Sequence, residues 1–298
     1  MALSVRRARQ IRFGLFVALF LAPTFIGLFL FQALPTLTAI RNSFYEYSLL
    51  DPDRLTYIGL ANYTRMLKDT IFFKSIGNTF IYAFFKILIQ LPLALGLAML
   101  VQRPLRGIGI VRSAIFAPVV TAVSIIAVVW NLMYDPEHGM FNSLLVAIGI
   151  GKQPFLTSAS QAMPAIIAMS IWQDVGFTMV IFLAGLQGIP EEFYEAAAID
   201  GAGRFQRFRH VTLPLLQRTI LFALITTTIF SFQVFTPIYV MTKGGPLDST
   251  RLAVYDIFEQ GFVFLEMGYA SALAVVLIGL LLIIAAIQSR FLRAQFEY

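Results

Sequence analysis

Six apolar runs, each long enough to cross a hydrocarbon core, constrain this chain more than any other feature. They read Phe13 to Leu34, Ser75 to Val101, Ser113 to Tyr134, Gln161 to Gly188, Thr219 to Val240 and Met267 to Ser289. A hydrocarbon core about 30 Å thick takes roughly 20 helical residues to cross. Lipid offers the backbone no hydrogen-bond partner, so each spanning segment must satisfy its own; continuous rather than alternating hydrophobicity selects helices over a barrel. Composition agrees, with 58% of residues hydrophobic and 13% charged, where a soluble domain carries about 25% charge. The expectation is an all-α membrane protein of six transmembrane helices. With no repeat of 20 to 50 residues and no low-complexity tract, residues 1–298 read as a single transmembrane domain.

Basic residues set the orientation. Arg6, Arg7, Arg9 and Arg12 precede the first run, Arg103, Arg106 and Arg112 lie between the second and third, Arg204, Arg207, Arg209 and Arg218 between the fourth and fifth, and Arg290 and Arg293 follow the sixth. The other loops are longer and poorer in positive charge, so the positive-inside rule puts both termini of this multi-pass chain in the cytoplasm. The first run is longer than a signal-peptide core of about 7 to 15 residues and lacks a clear A-x-A site, which favours a retained anchor. The net charge of +6 is spent flanking apolar segments, not in a stripe with interleaved aromatics, so nucleic acid is not an expected partner.

Several chemistries are missing. Without cysteine there is no disulfide framework and no thiolate site. The two histidines, His138 and His210, fall in loops predicted on opposite sides of the membrane, which leaves no intramembrane metal centre or activated nucleophile. No G-x-x-x-x-G-K-[ST] loop occurs; the nearest fragment, Gly151-Lys152, is followed by Gln153. If ATP drives this chain, another chain binds the nucleotide.

The loop after Gly188, about residues 189–217, reads IPEEFYEAAAIDGAGRFQRFRHVTLPLL over 189–216. Pro190 with Glu191 and Glu192 is a helix start, the acids sitting where the macrodipole favours them. Gly201 and Gly203 are expected to end that helix through a left-handed cap. A second short helix should follow, with Phe205, Phe208 and Val211 on one face and Pro214 leading back to the membrane. An amphipathic loop lying on lipid is the alternative. The run Ala196-Ala197-Ala198 argues against it, because such small residues anchor poorly in lipid yet let another protein approach closely.

Glu195-Ala196-Ala197, Asp200-Gly201-Ala202, Phe208, Val211 and Leu213-Pro214 together resemble the EAA loop of ATP-binding-cassette importer permeases at its usual spacing. The resemblance implies a type I-like permease fold in which this loop docks in a cleft of a separate ATPase. It further implies a non-catalytic chain, ATP and Mg on the partner ATPase, a second similar permease, two ATPase subunits and an extracytoplasmic solute-binding protein. GLANY at 59–63, SIGNT at 75–79, VVWNLMYDPEHGMFNSLL at 128–145 and MTKGGPLDST at 241–250 are similar to the sugar-importer branch, and to the first permease of its maltose-type pair. The implied cargo is a sugar or related polyol. Glycerol phosphate, which some relatives carry, stays open, although no deep arginine is present to meet a phosphate.

Polar groups at membrane depth are costly and usually face the bundle interior. Trp172, Gln173 and Asp174 lie midway along the fourth run, and Phe232, Gln233 and Phe235 on the fifth. Aromatic faces with amides and a carboxylate suit a pyranose, while the same residues serve equally as helix-to-helix hydrogen bonds. Trp130, Asn131, Gly139 and Asn142 read as structural. Lys86 and Asp174 fall at matching depths on runs of the same direction, so an intramembrane pair is expected, with Lys86 snorkelling to an interface as the alternative. An ion-driven secondary transporter would instead show internal inverted symmetry, and none is visible.

Overall fold

A computed structural model describes residues 2–103 and 106–291, and is silent on the side chains of 2–12, 14, 52–54 and 291. Arg293 lies outside the described residues. In chain order, α1 (Ala2–Leu28) passes through a π-turn into α2 (Leu34–Asn42), a hairpin of β1 (Tyr45–Ser48) and β2 (Asp51–Tyr57) follows, then α3 (Ala61–Met66) and the long α4 (Thr70–Val101). Next come α5 (Ile108–Val120), α6 (Val123–Met133), α7 (Met140–Ala147) and α8 (Ala162–Gln187), then α9 (Glu191–Ile199), α10 (Arg204–Arg207) and α11 (Leu213–Leu215). The chain continues through α12 (Gln217–Phe232), α13 (Thr236–Met241), α14 (Ala253–Phe258) and α15 (Met267–Phe291). Among the described residues, five stretches are long and apolar enough to cross a membrane, and a bent pair, α5 with α6, makes a sixth.

Two compact units form. The first holds residues 1–68 and 259–276. Its antiparallel hairpin pairs Tyr45 with Tyr57 and departs from the all-helical expectation. Gly59, at φ +58°, turns the chain after it. Asn62, buried, donates from Nδ2 to the carbonyls of Ser43 (2.9 Å) and Tyr45 (3.1 Å), tying α3 to the hairpin root. Arg65 bonds Glu266 at 2.6 Å and lies 4.0 Å over the Tyr269 ring. The first span, Leu15–Asn42, runs past its expected end at Leu34 and buries none of its apolar window, so lipid or another chain must cover it.

The second unit, residues 69–258 and 277–298, carries the functional groups. Here α4 begins on Asp69, whose carboxylate accepts from the N–H of Ile71 and Phe72. Pairs Lys86–Asp174 and Gln90–Thr178 each join residues 88 apart, so α4 and α8 lie side by side in the same direction. Gly176 is where α5 crosses α8: a Cβ there would strike the Ile115 carbonyl oxygen and come within 3.0 Å of the Phe116 Cα. Backbone cannot yield as a flexible side chain can. Gly176→Ala is therefore expected to cost roughly 1–3 kcal/mol and Gly176→Leu to abolish folded protein, read as the monodisperse yield after detergent extraction.

Two predicted spans are not single helices. The third, expected as one helix from Ser113 to Tyr134, starts earlier and bends by 96° between α5 and α6. Pro118 withholds one ladder N–H, and Thr121 (ψ 137°) and Ala122 (ψ 127°) are extended. The fifth stops at Phe232 and restarts at Thr236, because Pro237 has no N–H to return to the Gln233 carbonyl. Pro23 and Pro92 sit inside continuous helices instead.

Loop motifs are pins. Asn78 donates to the carbonyls of Asp248 (2.8 Å) and Arg251 (3.0 Å), Thr79 Oγ1 accepts from Ala253 N–H (2.9 Å), and Thr250 Oγ1 donates to the Gly245 carbonyl at 2.7 Å. Asn142 is buried and exchanges bonds with the backbone of Gln153 and Pro136. A Cβ on Gly139 would collide with the Asp135 backbone. In that turn the N–H groups of His138 and Glu137 hold the Asp135 carboxyl below its ordinary range.

Candidate functional site

The loop between α8 and α12 is an exposed projection. After α9, Gly201 adopts φ +79°. The N–H of Ala202 reaches the Ala197 carbonyl (2.9 Å) and that of Gly201 the Ala198 carbonyl (3.1 Å), the paired bonds of a Schellman stop. Gly203, which the sequence suggested would share in that ending, is instead the N-cap of α10, its N–H held by Gln206 Oε1 at 2.7 Å. The second limb is likewise not one helix. A π-turn over Phe208–Thr212 separates α10 from α11, because Pro214 leaves the His210 carbonyl without its ladder donor. Tyr194 Oη and Thr212 Oγ1, 3.1 Å apart, tie the limbs together.

What this loop shows to solvent mixes small and acidic residues with exposed apolar ones, Phe193 and Ile199 among them. Glu195, Ala196, Asp200 and Gly201 are exposed, Ala197, Ala202, Phe208, Leu213 and Pro214 are half-buried, and a groove of about 320 Å³ runs beneath Asp200 and Gly201 toward Arg207 and His210. Phe205, expected on an apolar face, is exposed. Leu216, by contrast, is fully buried against α8 neighbours such as Leu186 and anchors the return into the bundle.

Within the bundle, the breaks in the third and fifth spans flank one polar pocket. A cavity of about 240 Å³ is lined by Tyr82 and Lys86 from α4, Ser170, Gln173 and Asp174 from α8, Val123 from the start of α6, and Gln233 to Pro237 from the interrupted fifth span. A second, of about 160 Å³, holds Gln90, Val119, Thr178, Thr227 and Phe230, and shares Lys86 and Asp174 with the first. Lys86 Nζ donates to Asp174 Oδ2 at 2.6 Å and lies 5.7 Å from the Tyr82 ring centre. One turn further along, Gln90 Nε2 donates to Thr178 Oγ1 at 2.8 Å. Lys86 thus points into the bundle.

Trp172 and Phe232 do not join this group. Successive helical residues turn by about 100°, so Gln173 and Asp174 face the cavity while Trp172 turns away, 5.3 Å from the Trp130 ring and beside a separate apolar groove with Phe85 and Ile89. Phe232 is buried edge-on to Phe80 at 5.2 Å; Phe230 and Val234 line the cavity in its place. Gln233 and Phe235 do line it. Sequence reasoning missed Tyr82, Gln90, Ser170 and Thr178. The available signal was spacing: 82, 86, 90 and 170, 174, 178 recur every four residues, one face of each helix.

Residues 71–295 match the family model described as "Binding-protein-dependent transport system inner membrane component". The "Probable ABC transporter permease protein YurN" of Bacillus subtilis is 34% identical, over 94% of this chain and 96% of the relative. The "Sulfoquinovosyl glycerol transport system permease protein SmoG" of Agrobacterium fabrum is 35% identical over 94% and 91%. Among solved structures, a chain of a bacterial ABC transporter "involved in the import of the acidic polysaccharide alginate" superposes with a TM-score of 0.84 at 22% identity, covering 98% of this chain and all of that one, a likeness of fold.

Proposed function

We propose that this chain, which belongs to the family of binding-protein-dependent transport system inner membrane components, forms the membrane path for a sugar or related polyol. It is a multi-pass inner-membrane permease subunit of an ATP-binding-cassette importer, and the ATPase is a separate subunit. The observation that carries the cargo is the cavity at the two span breaks, where Gln173, Asp174 and Gln233 present amides and a carboxylate beside the ring of Phe235. Such a lining takes the hydroxyls and the C–H face of a pyranose. Among the relatives, SmoG is named for transport of sulfoquinovosyl glycerol.

In this reading both termini are cytoplasmic, as the arginine distribution favours, and residues 1–298 act as one transmembrane domain. The chain pairs with a second permease, two ATPase subunits carry ATP and Mg, and a binding protein delivers solute from outside. Closure of the ATPase pair pushes the loop of residues 189–217 through Glu195–Ala197 and Asp200–Ala202, rocking α8 and α12, between which the loop is strung, and turning the cavity from one side to the other. The test is Gln233→Ala. Removing one hydrogen bond to solute, about 1.4 kcal/mol, should lower uptake about tenfold with unchanged complex yield. A loss of yield in proportion to uptake would make Gln233 a packing residue and remove the support for the path.

A further inference from the structure

We propose that the Lys86–Asp174 pair makes this cavity selective for uncharged hydroxylated solutes, an inference that rests on the cavity being the solute path. Among the described residues lining the two cavities, Lys86 and Asp174 are the only charged ones. They are not equally placed: the Lys86 side chain is 3% exposed and that of Asp174 40%. The ammonium stands behind and the carboxylate in front. Lys86 engages Oδ2 alone, and the 40% exposed carboxylate that lines both cavities keeps acceptor capacity for a solute.

The surrounding groups are neutral. Ser170 Oγ, one turn from Asp174, and Gln90 Oε1, one turn from Lys86, are buried without a protein hydrogen-bond partner. Both atoms are closed off from the cavity space, so they add neither charge nor an exposed acceptor to its wall. A solute hydroxyl can donate to the exposed Asp174 carboxylate and accept from the Gln233 amide. A phosphate, sulfonate or carboxylate would instead meet Asp174 first, with the only cation shielded behind it and already paired. Lys86 offsets the carboxylate at depth without lending the cavity a net positive charge; Asp174 in turn masks Lys86. Removing Asp174 unmasks the cation, and the site should then favour anions.

The chain contains no cysteine, so Gln233→Cys places a lone reporter thiol on the cavity wall. In the assembled complex, with partner thiols blocked, its reaction rates are measured with methyl methanethiosulfonate and with the anionic sulfonatoethyl and cationic trimethylammonioethyl analogues, each divided by its rate with free cysteine. The anionic-to-neutral ratio should be about tenfold below one, rise about tenfold in Asp174→Asn, and fall further in Lys86→Met as the cationic reagent gains. A ratio that neither substitution moves overturns the inference, and Lys86→Met keeps the test alive should Asp174→Asn fail to assemble. Uptake after labelling reports separately on the path: modification of the reporter thiol should abolish the residual uptake that unlabelled Gln233→Cys retains. Labelling that leaves uptake intact, or a thiol none of the reagents reaches, refutes the path itself.

Discussion

Replacing Gly201 by aspartate should lower solute uptake about a hundredfold while membrane insertion and complex yield stay near wild type. The residue sits at φ +79° with nothing within 4 Å of an added Cβ, so the substitution meets no atom of this chain. Its cost within the loop is the left-handed backbone alone, about 1–2 kcal/mol and least for Asn and Asp. The larger effect falls outside. A charged side chain would stand next to Asp200 on the surface proposed to meet the ATPase, and a disrupted docking centre costs about 2 kcal/mol or more. The two together account for roughly two decades. Gly201→Ala separates the contributions, since it keeps the backbone strain and adds neither charge nor reach. Uptake and ATP hydrolysis should be measured on the same proteoliposomes; wild-type uptake in Gly201→Asp would contradict the coupling role.

The second large effect is expected at the ion pair, and it should be asymmetric. Breaking a buried pair by removing one partner typically costs about 3–5 kcal/mol, because the other charge is left without compensation. Asp174→Asn strands Lys86, which is almost wholly buried, whereas Lys86→Met leaves Asp174 with access to the cavity. The first substitution should therefore destabilise the complex more. The double variant should lose less than the sum of the two, since it strands no charge, with a coupling of about 1–3 kcal/mol. Thermal unfolding of the detergent-solubilised complex measures all four corners of the cycle. Additive losses would mean that the 2.6 Å contact contributes no coupling.

Much of this architecture was legible because lipid enforces it. Hydropathy located the apolar stretches, and glycine with proline located the corner at Gly201. The breaks at Thr121–Ala122 and Gln233–Phe235 were not legible: hydropathy stays high through both, and a proline permits a break without requiring one, as Pro23 and Pro92 show by remaining inside continuous helices. Matching depth made Lys86 and Asp174 candidates for a pair, but depth alone does not say that two helices are neighbours; the 2.6 Å contact does. Trp172 and Phe232 lie off the cavity while their neighbours Gln173 and Gln233 line it, because helix phase, which adjacency in sequence does not fix, decides which side chains share a wall. The motifs around Asn62, Asn78 and Asn142 resemble the family for a structural reason, each being an amide that satisfies loop carbonyls. Broken spans also occur in ion-driven carriers, so they do not separate the classes by themselves; the family match over residues 71–295 does.

The most direct test of the account is ATP hydrolysis and uptake by the reconstituted complex, measured with and without solute-loaded binding protein and with the ion gradients collapsed by ionophore. A permease coupled through residues 189–217 to a separate ATPase predicts hydrolysis that rises several-fold with loaded binding protein, and uptake that continues without any gradient. Uptake that stops when the gradients are collapsed and ignores ATP would contradict it.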